Sequence, residues 1–328
     1  MRVGLFISET WGPASSIQEV RERAARAEAL GFASGWVPYL PWSLDALASV
    51  QAAAESTRQL ELGTAVIPTY FFHPLALARQ AATVQAAMGR PIHLGIGCSN
   101  EAVISMHGLA YERPARHVRE YVEILQSAME TGASPAGDRE QAGFVQYQGD
   151  FFRVGSIYGT PEVSRPGSVL IGALGPHMLR VAGRHADGAI ATWADEGAIE
   201  RVIHPGVTHA AEAAGRPAPR VAGVVPVAIT RDAESVREQA QSQFAFYEKA
   251  MPYERMLRAG DARRIADVCV IGDEEEVARR LRAFEAAGMT DFLAAPFSAG
   301  GSSAGSRGES TWQWTAEKLA GIVEQRSA

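Results

Sequence analysis

The chain has 328 residues, 47% apolar, 21% charged and 8% aromatic, with 31 Lys and Arg against 37 Asp and Glu for a formal charge of −6. This composition excludes a disordered or fibrous protein. A mild acidic excess with no Lys/Arg stripe argues against nucleic acid and leaves small molecules as partners. Two cysteines, Cys98 and Cys269, are too few for a disulfide framework and point to a reducing cytoplasm.

From the N-terminus, Met1–Ile7 carries one basic residue and a short apolar run stopped by Ser8 and Glu9, which reads as a first strand rather than a secretion signal. No stretch approaches the roughly 20 apolar residues of a membrane helix. Apolar runs rich in Val, Ile and Leu fall at 3–7, 33–38, 60–67, 92–97, 168–174, 187–192, 220–229 and 290–295. Between them, apolar residues recur at helical spacing. Ile17, Val20, Ala24 and Ala27 mark one face, Leu77, Ala81, Val84 and Met88 a second, and Val118, Tyr121, Val122, Leu125 and Met129 a third. Val236, Ala240, Phe244, Tyr247 and Met251 mark a fourth.

Strands that are continuously apolar are covered on both faces, and eight βα repeats in this length favour a closed (β/α)8 TIM barrel over an open doubly wound sheet. Residues 8–13 carry no dinucleotide-binding fingerprint after the first strand. The whole chain, 1–328, reads as one barrel domain with insertions. One spans about 131–167, is rich in Gly and Pro, and holds a hairpin reading at 144–147 and 151–154. A ninth apolar run at 268–271 belongs to a second insertion, about 252–272. The Gly/Ser-rich stretch 298–308 reads as a flexible loop at the barrel mouth.

Residues 60–68, 73–83 and 89–97, with Ala27–Phe32 near the second strand, are similar to the signature of the bacterial luciferase-like superfamily. Tyr147–Phe152, Ala182–Gly188 and Ile271–Val277 agree with it. The resemblance covers nearly the whole chain and implies a flavin or deazaflavin at the C-terminal ends of the barrel strands. Within the superfamily, Gly63–Val66 and Ile171–Pro176 most resemble the coenzyme F420-dependent oxidoreductases, with FMN as the alternative cofactor.

Gly95–Asn100 and Gly172–Pro176 each follow a buried strand, and the second passes directly into a helix. Such segments offer backbone N–H groups and a helix N-terminus to a phosphate. Glycines of this kind are commonly turn residues; two such segments at neighbouring strand ends, together with the resemblance, make Gly97, Cys98, Ser99, Ala173, Leu174 and Gly175 candidate cofactor-binding positions. The resemblance also implies a cis peptide between Ala65 and Val66 that backs the deazaflavin ring. Glu9 and Tyr39 are candidate proton donors. Trp42, Tyr70, Phe71, Asn100 and Trp193 are candidate walls of a substrate pocket. The histidines show no metal-ligand spacing.

Departures from the family narrow the chemistry. Its sugar-phosphate dehydrogenases carry an Asp-His pair after the second strand, where this chain reads Trp36–Trp42 with no histidine. Their glutamate after the fourth strand corresponds to Asn100, and their phosphate-binding lysine to Asp195. Glucose-6-phosphate oxidation is therefore not expected. The expectation is hydride transfer from reduced deazaflavin to an activated C=C or C=N of a small substrate. The alternatives are an FMN-dependent monooxygenase or an inactive cofactor-binding relative. The family resemblance further implies a homodimer.

Overall fold

The computed structural model describes residues 1–11, 15–131, 133–134, 143–161, 167–297 and 306–327. The chain begins with β1 (Arg2–Phe6), α1 (Ile17–Ala29), β2 (Ser34–Val37), α2 (Ala46–Ala54), β3 (Glu61–Thr64), β4 (Ile67–Pro68), α3 (Pro74–Met88) and β5 (His93–Gly97). Next come α4 (Glu101–Met106), α5 (Pro114–Thr131), β6 (Ala133–Ser134), β7 (Gly143–Gln148), β8 (Arg153–Tyr158) and β9 (Thr160–Pro161). The second half runs β10 (Ser168–Gly172), α6 (Pro176–His185), β11 (Gly188–Thr192), α7 (Glu196–Ala198), α8 (His204–Glu212) and β12 (Arg220–Ile229). It ends with α9 (Ala233–Phe244), α10 (Met251–Ala259), α11 (Ile265–Val268), β13 (Val270–Gly272), α12 (Glu274–Ala286), β14 (Asp291–Pro296) and α13 (Ser306–Ser327).

Eight of these strands pair in parallel in the order β1, β2, β3, β5, β10, β11, β12, β14, and β14 returns to β1. The sheet is a closed (β/α)8 barrel, and its eight strands are the eight apolar runs of the sequence. β4 continues the third strand beyond its kink and pairs with the end of β5, while β13 adds to the outer end of β12. β7 and β8 form the antiparallel hairpin within 131–167.

The fourth helical face is interrupted. α9 stops at Phe244, a 3-10 turn follows over Ala245–Lys249, and α10 starts afresh at Met251. Pro252 in the first turn of α10 lacks an N–H and its ring would strike the carbonyl one turn earlier, so one helix cannot run through. Of the stretch 298–308, residues 298–305 lie outside the described residues, and Ser306–Gly308 open α13 rather than continue a loop. Trp312 and Trp314 of α13 donate their indole N–H groups to the carbonyls of Phe6 (2.7 Å) and Ile229 (3.2 Å), at the ends of β1 and β12.

Side chains fill the barrel interior. Phe6, Trp36, Leu170, Ile190, Val224 and Leu293 form one buried cluster. A Cβ on Gly63 would lie 2.7 Å from the Trp36 ring and 2.8 Å from the His93 carbonyl, so glycine there makes room for the indole.

The floor is polar, built from the first residues of six strands. Arg2 pairs with Glu61. His93 Nε2 lies 2.7 Å from Glu61, and its Nδ1 lies 2.8 Å from Ser168 Oγ and 3.1 Å from Arg220 Nη1. Arg220 grips Asp291 through two bonds of 2.7 and 3.1 Å, and Arg2 Nε lies 3.9 Å from the same carboxylate. Guanidinium only donates, so Nδ1 of His93 accepts and Nε2 carries the proton given to Glu61. The hydrogen bond from His93, with help from Arg2 and against burial, holds the Glu61 carboxyl down at about 2.

Two outcomes follow from this ring. Asp291→Ala strands the half-buried Arg220 charge and lowers unfolding free energy by about 3–5 kcal/mol, measurable by urea denaturation. Glu61 has a folded pKa of about 2 against an ordinary 4.5, so its contribution is full above pH 4.5 and vanishes as pH falls through 2. Glu61→Gln therefore flattens the acid limb of stability between those pH values, as denaturation at a series of pH values would read.

Candidate functional site

At the opposite end, the C-terminal ends of β5, β10 and β11 open into a cavity of about 1120 Å³. One wall is the kinked third strand. The Ala65–Val66 peptide is cis, and Val66 faces the cavity beside Gly97. A Cβ on Gly97 would stand 2.8 Å from Val66 Cγ2, so only glycine lets β5 end this close to Val66. The chain then turns through Ser99 at φ +58°, and Asn100 caps α4 by accepting the Val103 N–H at 3.0 Å.

The facing wall runs from Gly172 to Met178 and includes the start of α6. Gly175 is the N-cap of this ten-residue helix and provides no side-chain cap. A Cβ there would meet nothing within 4 Å, so the space in front of the first turn is open. Helix starts carry N–H groups without intrahelical partners and a partial positive charge, which together favour an anion.

Arginines rim the same cavity, Arg113 and Arg116 at the start of α5 and Arg255 on α10, with the His177 imidazole on α6 beside them. Arg113 and Arg116 each pair with Asp150, at 2.7 and 3.0 Å. Arg116 also reaches the fully buried Glu120 at 3.3 Å. Burial pushes the Glu120 carboxyl upward, but N–H bonds from Phe151, Asp150 and Phe152 and the Arg116 contact outweigh it and leave it below the usual range. Deeper in, Tyr111 donates to Cys98 Sγ at 3.3 Å. Burial raises the Cys98 thiol above its ordinary value and raises the Tyr111 phenol strongly, so both stay protonated at neutral pH.

Val66, Gly97, Cys98, Ser99, Asn100, Ala173, Leu174 and Gly175 therefore converge on one cavity. Ala65 contributes the other half of the cis bond and packs against the barrel's inner cluster. Other singled-out residues do not line the cavity. Glu9 is buried after β1 and accepts the Ser15 N–H at 2.8 Å. Tyr39 packs on Phe71 and Phe72. Tyr70 stacks on His117 with centroids 3.9 Å apart and donates to the Glu112 carbonyl. Phe71 also lies against His107. Trp42 is 55% exposed. Trp193 is fully buried among Trp11, Phe244 and Tyr247.

Sequence reasoning missed Tyr111, Arg113, Arg116, His177, Tyr253 and Arg255. A signal was available for two of them: the run Arg113-Pro-Ala-Arg-His-Val-Arg119 puts cations at a helix N-terminus, against the helix dipole. Such a local conflict marks function more often than packing. The backbone agrees. Among the described residues, the non-glycine residues at positive φ are Ser99, Arg113 and Trp193; the first two line the cavity and the third follows Thr192, which does. Residues held there cluster at functional sites.

The family model described as luciferase-like monooxygenase matches residues 1–291. The chain belongs to the luciferase-like monooxygenase family. A curated relative, the F420-dependent glucose-6-phosphate dehydrogenase of Amycolatopsis mediterranei, is 30% identical over 302 residues, 85% of this luciferase-like chain and 84% of the relative. Two solved structures share the fold. The coenzyme F420-dependent tetrahydromethanopterin reductase from Methanopyrus kandleri has a TM-score of 0.73 at 19% identity, covering 98% of this chain and 99% of that one. An F420-dependent secondary alcohol dehydrogenase in complex with an F420–acetone adduct has a TM-score of 0.74 at 18% identity, covering 98% of each. Among the described residues of this luciferase-like protein, no group of three or more His, Cys, Asp or Glu is placed to hold a metal, and no helix is long and apolar enough to cross a membrane.

Proposed function

We propose that this luciferase-like protein is an F420-dependent oxidoreductase that passes hydride from the reduced deazaflavin to an activated C=C or C=N bond of a small organic substrate. The observation that carries the reading is the pairing, in one cavity, of an apolar wall at Val66 and Gly97 with the uncapped start of α6 and its arginine rim. A planar ring attached to a phosphate fits both. The F420-dependent relatives favour the deazaflavin over FMN.

When bound, the coenzyme supplies the hydride. The chain's own residues do the rest. N–H groups at the start of α6 hold the phosphate, Arg113 and Arg116 add charge, and Tyr253 and Leu174 exclude water. Tyr39, a proton donor on the sequence reading, packs on Phe71 and Phe72 outside the cavity and takes no part in the transfer. Glu9 is likewise outside the cavity, its carboxylate taken up by the Ser15 N–H.

Sugar-phosphate oxidation is disfavoured for a structural reason besides the missing histidine. The Asn100 side chain is engaged in capping α4. The Asp195 carboxylate is buried and occupied by the N–H groups of Ala198, Asp261 and Ala262, at 2.8, 2.6 and 2.7 Å.

Fluorescence titration with F420 and with FMN, followed by reduced F420 against a panel of activated alkenes and imines, tests the proposal. Tight binding to F420 and oxidation of its reduced form by an acceptor are expected. Binding to FMN alone, with oxygen uptake coupled to flavin oxidation, would replace it with a monooxygenase. F420 affinity without turnover across the panel would leave a cofactor-binding relative.

Gly175→Asp separates binding from stability. The new carboxylate caps α6, so thermal stability holds or rises by a few tenths of a kcal/mol, about the difference between Asp and Gly caps. The same carboxylate takes the anion's place and repels it, so F420 affinity falls about tenfold or more, an energy of about 1.4 kcal/mol or above.

A further inference from the structure

With Tyr39 and Glu9 outside the cavity, the proton that completes the reduction has to come from a group that lines it. Arg113, Arg116 and Arg255 line it, but a guanidinium does not give up its proton in a protein. The aliphatic hydroxyls of Ser99 and Thr192 are far weaker acids than a phenol. Cys98 and Tyr111 are already engaged. The thiol donates to the Ser99 carbonyl at 3.4 Å, and the Tyr111 hydroxyl lies 3.3 Å from both Cys98 Sγ and that same carbonyl. His177 is exposed at the start of α6, beside the anion site rather than the apolar wall.

Tyr253 is the remaining phenol. It stands in the first turn of α10, its ring edge-on to Tyr247 with centroids 5.5 Å apart, and packs against the cluster that holds Trp193 and Phe244. Aromatic contacts fix the ring, and phenylalanine would serve them equally well. The hydroxyl has another use. Tyr253 lines the cavity, and among the described residues its hydroxyl makes no hydrogen bond. The phenol lies near enough to Cys98 for the charge of that group to act on it, which places it across from α10, beside the end of β5. Cys98 directly follows Gly97, part of the wall that backs the coenzyme ring. Burial first, and then Tyr247 and Cys98, raise this phenol above its ordinary value, so it holds its proton at neutral pH. A hydroxyl left without a partner forgoes about 0.5–1.5 kcal/mol, which an acceptor atom of a bound substrate would restore.

We propose that Tyr253 is the acid that protonates the substrate as hydride reaches it. This assignment rests on the F420 reading above. Hydride brings two electrons to one end of the substrate's C=C or C=N bond, the π pair moves to the other end, and the atom there becomes basic. That atom takes the Tyr253 proton: the phenol O–H bond breaks, a C–H or N–H bond forms, and the phenolate regains a proton from water at the mouth. The substrate is reduced by two electrons and the coenzyme is oxidised by the same two.

The test compares wild type and Tyr253→Phe on two acceptors, a neutral imine and its N-methyl iminium salt. The iminium carbon takes hydride and leaves a neutral nitrogen, so it needs no proton. With the imine, kcat is expected to fall about a hundredfold or more in the variant, within the range of general acid catalysis. With the iminium it stays near the wild-type value, and F420 affinity by fluorescence titration is unchanged. A readout free of turnover is the binding of para-nitrophenolate, a planar oxyanion standing in for the basic atom, to the chain loaded with oxidised F420. It is expected to weaken about tenfold on loss of a hydrogen bond to a charged group. Should the variant fail to fold, wild type in light and heavy water carries the test: slowing in heavy water with the imine alone is expected, and equal behaviour of the two acceptors overturns the proposal. Equal losses with both acceptors in the variant, undiminished imine turnover, or equal nitrophenolate affinity also overturn it, and leave the F420 reading intact. Failure of the wild type to bind F420, or binding without turnover of either acceptor, overturns the reductase reading and the role of Tyr253 together.

Discussion

Closure of the sheet between β5 and β10 is the constraint on which the rest of the structure depends. An open parallel sheet would expose two edges of unpaired N–H and C=O groups, and strands as apolar as these have no soluble edge to offer. The register Ser168–His93 through Ile171–Ile96 removes both edges. Closure brings the first residues of the strands around one small circumference, where Arg2, Glu61, His93, Ser168, Arg220 and Asp291 satisfy one another. With the apolar layer of Phe6, Trp36, Leu170 and Leu293 above it, this ring seals the barrel. Binding is left to the other end.

The mouth is built on the opposite principle. At the floor every polar group has a partner from another strand. At the mouth the α6 start is left uncapped, and Ser99 and Arg113 sit at positive φ. Each feature disfavours the folded state by a fraction of a kcal/mol to a few. The floor and the deep helix packing supply the stability that the mouth gives up, and for that reason substitutions such as Asp291→Ala and Gly175→Asp act on different properties.

The barrel was legible in the sequence because its strands are buried on both faces, which writes each one as a continuous apolar run; all eight runs became barrel strands. The glycine-rich ends of β5 and β10 were legible for a related reason, since only glycine lets Gly97 approach Val66. The floor ring was not. Arg2, Glu61, His93 and Asp291 are scattered over nearly the whole chain, and only barrel closure juxtaposes them. Pro252 carried the break between α9 and α10 in plain view, but the apolar spacing across it masked the interruption. Tyr253 and Arg255 could not be placed on the cavity from sequence, because their position depends on how the segment after β12 folds back.

That fold-back is itself specified. Asp195, at the end of β11, accepts N–H groups from Asp261 and Ala262 on the turn after α10. A Cβ on Gly260 would fall 1.9 Å from the Asp195 carboxylate, so this turn approaches as closely as it does only with glycine. Trp193, two residues earlier, anchors Phe244 and Tyr247 from the same segment in a cluster separate from the barrel core. The end of β11 thus holds α10 in place from two sides, and α10 presents Pro252, Tyr253 and Arg255 to the cavity. One wall of the cavity consequently belongs to a segment whose position rests on a few residues rather than on sheet hydrogen bonds. Such a wall can change its side chains without disturbing the barrel, whereas the wall at Val66, Gly97 and Gly172–Gly175 cannot. The invariant chemistry of a cofactor suits the second, and the selection of a substrate suits the first.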